Sequence, residues 1–178
     1  LSMDKSHTEI YKDISDVYEK KRDFPKAIEA YKNYLDEMKS SPDISDLFLY
    51  GRLNYYAATD SAYQDKQPTY LAEADTIFAQ VAVKVPDNYL GNFWRARVNS
   101  LRDPETTQGL AKPYYEAALS ILEQKSDATK SVLVECNSYL GYYYFVKEDY
   151  NQSKQYWNKI LEIDPENETA TKALGGIK

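Results

Sequence analysis

The stretch "SYLGYYYFVKEDY", residues 138–150, sets three tyrosines in a row behind a Leu-Gly pair. Tyrosine clusters stack on sugars, bases or aromatic ligands, and they also fill ordinary cores. In a helix, adjacent side chains diverge by about 100°, so Tyr142, Tyr143 and Tyr144 cannot share one face. The same stretch opens a spaced series: Leu140-Gly141, Tyr144, Tyr150, Ser153, Trp157 and Pro165. A spaced series is a reason to look for internal repeats before local structure.

The series recurs. Near the N-terminus, Ile14-Ser15, Tyr18, Phe24, Ala27 and Tyr31 stand at the same separations, with the proline displaced to Pro42. Two inner copies are looser. Leu47, Tyr50-Gly51, Ala74, Phe78 and Pro86 form one, with about 11 extra residues between its halves against the usual spacing. Ala96, Ala111, Tyr115 and Ala118 form the other, with about three extra. In that copy Asn92, Arg95 and Asn99 occupy slots that are usually apolar, which predicts a first helix rotated relative to this register.

These positions resemble the tetratricopeptide-repeat (TPR) family. Leu140-Gly141, Tyr144, Ser153, Trp157 and Pro165 fill its Leu-Gly, Tyr, Ala, Phe and Pro slots, while Asn137 stands where the pattern has Trp. The resemblance implies an all-α solenoid, a superhelix of paired helices, as a single domain over 1–178. Its repeats are expected near 8–42, 44–86, 88–124 and 129–165, followed by a capping helix over 167–175 that covers the apolar edge of the last repeat. Helices are expected near 6–21, 24–39, 44–61, 69–84, 88–102, 109–124, 129–147, 150–163 and 168–174.

Local chemistry points the same way, because apolar residues recur three and four apart between the spaced positions. Ser6 with Glu9 forms a candidate capping box, and Asp23 a candidate cap with Pro25 in the first turn. Pro113, lacking an N–H, belongs in a first turn. Gly51, Ala96 and Gly141 stand where the helices of a repeat would cross, opposite Ala74, Ala111 and Ser153. A helical glycine costs about 1 kcal/mol relative to alanine, and close helix approach is a reason to keep one. In the TPR register Tyr144 packs on the second helix of its own repeat and Tyr143 leans toward the preceding one. Tyr142 faces the concave groove. Two of the three are structural and one is a candidate contact.

Composition narrows the function. The formal charge of −6 argues against nucleic acid, which requires clustered Lys and Arg. No apolar run approaches the 18 residues of a membrane span. The chain begins at Leu1 and not Met, so the natural N-terminus, with any targeting sequence, is expected upstream. His7 is the single histidine, which leaves no His-based triad or metal cluster. The single cysteine, Cys136, lies in an apolar stretch and reads as a small buried hydrophobe. Carboxylate pairs such as Asp13/Asp16 and Glu162/Asp164 read as solvated helix faces. The sequons at Asn151 and Asn167 are short enough to be chance, and Gly175-Gly176 resembles a helix terminator. No catalytic, cofactor-binding or metal-binding residue is assigned.

In TPR proteins the first helix of each repeat lines a concave groove that binds peptides. Carried over by slot, the groove positions are Lys12 and Asp16; Phe48, Arg52, Tyr55 and Tyr56; Phe93, Arg97 and Ser100; and Ser138, Tyr142 and Phe145. The candidate peptide-binding set drawn from them is Phe48, Arg52, Tyr55, Phe93, Arg97 and Tyr142. Arginine suits carboxylates and aromatic faces, and rigid aromatics anchor interfaces. The competing reading is that the aromatics only pack neighbouring helices and the arginines lay their stems over apolar surface. The family's chaperone-tail clamp pairs a lysine with an asparagine; Lys12 fits, but Asp16 stands in the asparagine slot and repels a carboxylate.

Residues 57–69, "AATDSAYQDKQPT", read either as a projecting connection that contacts a partner or as a lengthened first helix followed by a loop. The stretch "WRAR" with "DPETTQGLAKPYYEAA" resembles TPR segments of exported bacterial envelope proteins, which favours a periplasmic or exported setting over the cytoplasm. The expected function is non-catalytic binding of a protein or peptide partner in the groove. The alternatives are a structural module for self-association (a homo-oligomer) or for positioning an upstream domain, and recognition of glycans by exposed tyrosines.

Overall fold

The computed structural model describes residues 5–38, 41–125 and 127–177, with side chains from Thr8 onward within those ranges. The Ser6 half of the expected capping box, and His7, lie outside the described side chains. Nine α-helices and no strand occur among the described residues. They are α1 (Lys5–Lys20), α2 (Phe24–Glu37), α3 (Ile44–Thr59), α4 (Gln67–Lys84), α5 (Leu90–Arg102), α6 (Lys112–Leu122), α7 (Lys130–Val146), α8 (Tyr150–Ile163) and α9 (Glu168–Gly176). The fold class is all-α, of the TPR-type helical repeat. The chain divides into two compact units, one through Val85 and one from Pro86. The first holds the pairs α1/α2 and α3/α4; the second holds α5/α6, α7/α8 and α9.

The first and last pairs turn by the same device. Arg22 and Glu148 adopt left-handed backbone, φ 58° and 60°. Arg22 N–H donates to Glu19 O and Asp23 N–H to Tyr18 O; Glu148 and Asp149 repeat this on Phe145 and Tyr144. This is a Schellman termination. The next residue then starts the new helix, the Asp23 and Asp149 carboxylates accepting from the N–H groups of Lys26 and Gln152. The expected cap at Asp23 is present, and Pro25 and Pro113 both sit in first turns.

Close crossings occur where the small residues predict them. A Cβ on Gly51 would lie 2.8 Å from Phe78 Cε1, and one on Gly141 would lie 2.7 Å from Trp157 Cε2. Ala27, Ala74, Ala96, Ala111 and Ser153 are fully buried. Two hydroxyls lace the outer pairs in opposite senses. Ser15 Oγ on α1 donates to Ala27 O on α2 at 2.8 Å, and Ser153 Oγ on α8 donates to Gly141 O on α7 at 2.7 Å. On α5 Ala96 keeps its buried slot, but the buried face is shifted beside it: Phe93 and Trp94 are buried while Asn92 and Arg95 are half-buried. The polar residues of this helix are accommodated locally. Asn99 donates to Arg95 O at 2.9 Å, and Arg95 stacks on Tyr114, 4.1 Å from the ring centroid.

In the first unit α2, α3 and α4 pack around Tyr31, Tyr34, Tyr50, Leu53, Ile77 and Val81. In the second, α9 brings Ala170, and the residue after it Ile177, onto Trp157 and Ile160, as expected of a cap. Residues 57–69 do not project as an extended loop. α3 runs to Thr59, a 3-10 helix spans Ser61–Lys66, and α4 follows at once. The segment is tied down by Asp60, whose carboxylate accepts from Ala62 N–H at 2.9 Å and from Arg22 Nη2 at 2.8 Å. Tyr63 adds an edge contact to the Phe24 ring and donates its hydroxyl to Arg22 O at 3.2 Å.

Candidate functional site

The tyrosine triplet separates as its angles require. Tyr142 points outward, 42% exposed, with Phe145 beside it at 41%. Tyr144 stacks on Tyr156 of α8, ring centroids 5.5 Å apart and planes within 7°. Tyr143 crosses toward the α5–α6 connection, where a Cβ on Gly109 would meet the edge of the Tyr143 ring at Cε2. Gly109 has φ +72°, and the ring fills the space that the missing side chain leaves. Tyr143 and Tyr144 are half-buried, not interior as expected. The buried members of α7 are Cys136, Asn137, Leu140 and Gly141, on the turns that precede them.

Tyr142 and Phe145 stand at the mouth of an apolar recess of about 220 Å³, completed by Trp157, Lys172, Ala173, Gly176 and Ile177. α9 ends at Gly176, which borders the recess without a side chain. Lys172 is salt-bridged to Glu168 at 2.9 Å on the solvent side. The chemistry of the recess is therefore apolar and aromatic.

The other groove candidates are more deeply engaged. Arg97 on α5 makes a two-pronged pair with Glu135 on α7 at 2.7 and 2.6 Å. Its guanidinium lies 4.5 Å from the Phe93 ring centroid and 5.0 Å from that of Trp94. Phe93 is only 3% exposed and supports Arg97 from beneath, so it is not itself a contact surface. Tyr115 donates its hydroxyl to Glu135 at 3.1 Å, and burial followed by the Glu135 charge raises its pKa, keeping it a donor. In the first unit, Arg52 on α3 pairs with Glu19 on α1 at 3.4 Å and lies over the Tyr56 ring. Phe48 makes an edge contact with Phe78, and Tyr55 one with Tyr56. Both arginines thus already hold a carboxylate from a neighbouring first helix within their own unit.

Three features are not evident from the sequence pattern. Asp46 on α3, 3% exposed, accepts from Tyr31 and Tyr34 hydroxyls at 3.2 Å each and from Lys12 Nζ at 3.1 Å. Lys12, the expected clamp lysine, is thereby committed to an internal acid. A signal for it is present: Asp46 occupies the slot of Cys136, where an acid is out of place. Asp103 organises the loop into α6, accepting from the N–H groups of Gln108, Gly109 and Leu110 at 3.0, 2.7 and 3.4 Å. Burial alone would raise its pKa, but these hydrogen bonds outweigh burial and hold the carboxyl below its ordinary value. The third is the Arg22–Asp60 tie, which spans too much sequence for local spacing to reveal.

Cys136 is fully buried, and burial pushes its thiol up to about 12, so it is an unreactive core residue. Among the described residues no group of His, Cys, Asp and Glu converges as a metal site, and no helix is long and apolar enough to cross a membrane.

Several solved structures are similar to this chain. The C-terminal part of a TPR repeat-containing protein from Cytophaga hutchinsonii is 32% identical, with a TM-score of 0.82. The match covers 96% of this chain and 61% of that one, so the chain spans about three-fifths of its relative's length. A MamA structure from Desulfovibrio magneticus RS-1, covering residues 41 to its end, matches with TM-score 0.67 at 18% identity, over 96% of this chain and 82% of that chain. A double mutant of MamA RS-1 gives TM-score 0.68 at 18% identity, with the same coverages. No family model and no curated protein matches the sequence.

Proposed function

We propose that this chain, a member of the tetratricopeptide-repeat family, is a non-catalytic scaffold that binds a protein or peptide through the first-helix faces of its repeats. The observation that carries the reading is the pair Tyr142 and Phe145, held outward at the mouth of an apolar recess. Large aromatics held outward beside an apolar hollow are the composition of an interface centre. In the second unit the proposed surface also takes in Arg97 on α5; in the first unit Phe48, Arg52 and Tyr55 on α3 are proposed as a first-helix face of their own. Arg52 and Arg97 serve as fixed charges whose carboxylate partners Glu19 and Glu135 sit beside them, so each face, taken by itself, offers a paired charge and not a bare cationic clamp. The occupant that fits the recess is a bulky apolar side chain on an extended or helical peptide.

The resemblance of the Trp94–Ala118 region to exported bacterial repeats supports a periplasmic or exported setting. A second reading, a module that positions an upstream part of the same protein, is favoured by the exposed apolar side chains Ile10, Ile14 and Val17 on α1.

The test of the binding reading is to identify ligands by affinity capture, then titrate each against the parent, Tyr142→Ala and Phe145→Ala. Each substitution is expected to weaken binding by about 1–2 kcal/mol or more, an interface anchor's worth. Binding unchanged in both variants would place the partner surface elsewhere.

A further inference from the structure

The repeat register assigns an occupant to the exposed face of α1. Aligned on Ser15, Gly51 and Gly141, the quartet Ile10, Asp13, Ile14 and Val17 on α1 corresponds to Asp46, Leu49, Tyr50 and Leu53 on α3. On α7 it corresponds to Cys136, Tyr139, Leu140 and Tyr143. On α3 that face is covered by α2: Tyr31 stacks on Tyr50 with centroids 6.0 Å apart, and Asp46, Tyr50 and Leu53 are 3%, 9% and 3% exposed. On α7 it is covered by α6: Tyr115 lies on Tyr139 with centroids 4.6 Å apart, and Cys136 and Leu140 are fully buried. On α1 the same face is open, with Ile10, Ile14 and Val17 exposed by 48%, 38% and 48% along a shallow groove that also holds Tyr18 and Lys21.

We propose that this face of α1 is the docking surface for an amphipathic helix from an upstream part of the same protein, seated on α1 as α2 is on α3 and α6 on α7. The proposal extends the second reading above and is independent of the partner face on α7. The slot of Glu135, which accepts the Tyr115 hydroxyl at 3.1 Å, is filled on α1 by the exposed Glu9. The docking helix therefore carries apolar side chains against Ile10, Ile14 and Val17 and a Tyr, Arg or Lys donor opposite Glu9. A second copy of the chain is a poorer occupant. A stable pairing of free molecules buries about 800 Å² on each partner, more than one stripe of three half-exposed aliphatic side chains supplies. A tethered helix needs less, because its effective concentration reaches the millimolar range. The Cytophaga hutchinsonii relative carries further chain beside the part matched here, which spans 61% of it.

The experiment places a single reactive thiol on the face. Val17→Cys is made in the 178-residue chain and in the same protein with its native upstream sequence, with Asp16→Cys, also exposed on α1, as control. Cys136 is fully buried and contributes no background. Maleimide labelling of the thiol introduced by Val17→Cys is expected to slow about tenfold or more in the longer form, with the control little changed, because labelling then requires a local opening. The shorter form is expected to sediment as a monomer. Equal labelling in both lengths would overturn the proposal, as would an intact mass of the endogenous protein showing nothing upstream of Leu1. Concentration-dependent protection of the introduced thiol in the shorter form would overturn it too, assigning the face to a second copy.

Discussion

Gly141 shows how far one residue can be read. Its place in the Leu-Gly slot predicts a tight crossing, and the 2.7 Å between an added Cβ and Trp157 Cε2 gives that crossing a size. Gly141→Leu is expected to destabilise by about 1–3 kcal/mol or more in chemical denaturation, from overpacking against a rigid indole. Stability equal to the parent's would show that the crossing is loose. The triplet behind it separates by burial. Tyr144→Ala removes a stacked ring from a half-buried site, so its cost falls to about 1–3 kcal/mol, below the roughly 3–5 typical of a fully buried aromatic. Tyr142→Ala should change stability by less than about 1 kcal/mol. Asp103 carries a pH signature. Its folded pKa is depressed, so the stability it contributes is fully present above its unfolded value of about 3.9 and is lost as pH falls through the folded value. Asp103→Asn is expected to lower stability at neutral pH and to flatten the loss seen in denaturant melts taken between about pH 5 and 2. An unchanged acid limb in the variant would remove Asp103 from that role.

At the scale of elements, the turn after α7 offers a test of the termination device. Glu148 sits at φ 60°, a conformation that disfavours a side chain. Glu148→Gly relieves that strain but adds freedom to the unfolded chain, so a net gain of up to about 1 kcal/mol is expected by thermal melt. A loss greater than that would mean that the Glu148 side chain makes a contact the turn depends on. Helix positions were legible in the sequence because the spaced residues, Asp23, Pro25 and Pro113 mark starts and crossings directly. The connections were less so. Nothing local in "AATDSAYQDKQPT" says that Asp60 will be held by Arg22, because the partner is 38 residues away. The loop from Asp103 to Ala111 likewise depends on one carboxylate collecting backbone N–H groups of residues whose order alone does not suggest it. The groove residues were legible by slot but not by state. Slot position identified Phe93 and Arg97, while only packing shows that Phe93 lies beneath the guanidinium and that Glu135 already holds it.

Over the whole chain, one register accounts for which aromatics are buried and which face water. Eighteen tyrosines make this measurable, because the same side chain reports from many slots. Second-helix slots hold Tyr31 and Tyr115 at 1% and 4% exposure, and Tyr34 and Tyr50 lie in the same core as Tyr31 at 5% and 9%. Tyr142 and Tyr150 are each 42% exposed. Hydroxyl-radical footprinting of the intact protein, read by mass spectrometry, samples these positions together. The register predicts fast modification at Tyr142 and Tyr150, intermediate rates at Tyr143 and Tyr144, and strong protection at Tyr31, Tyr34, Tyr50 and Tyr115. Protection of Tyr142 together with rapid modification of Tyr31 or Tyr115 would contradict it.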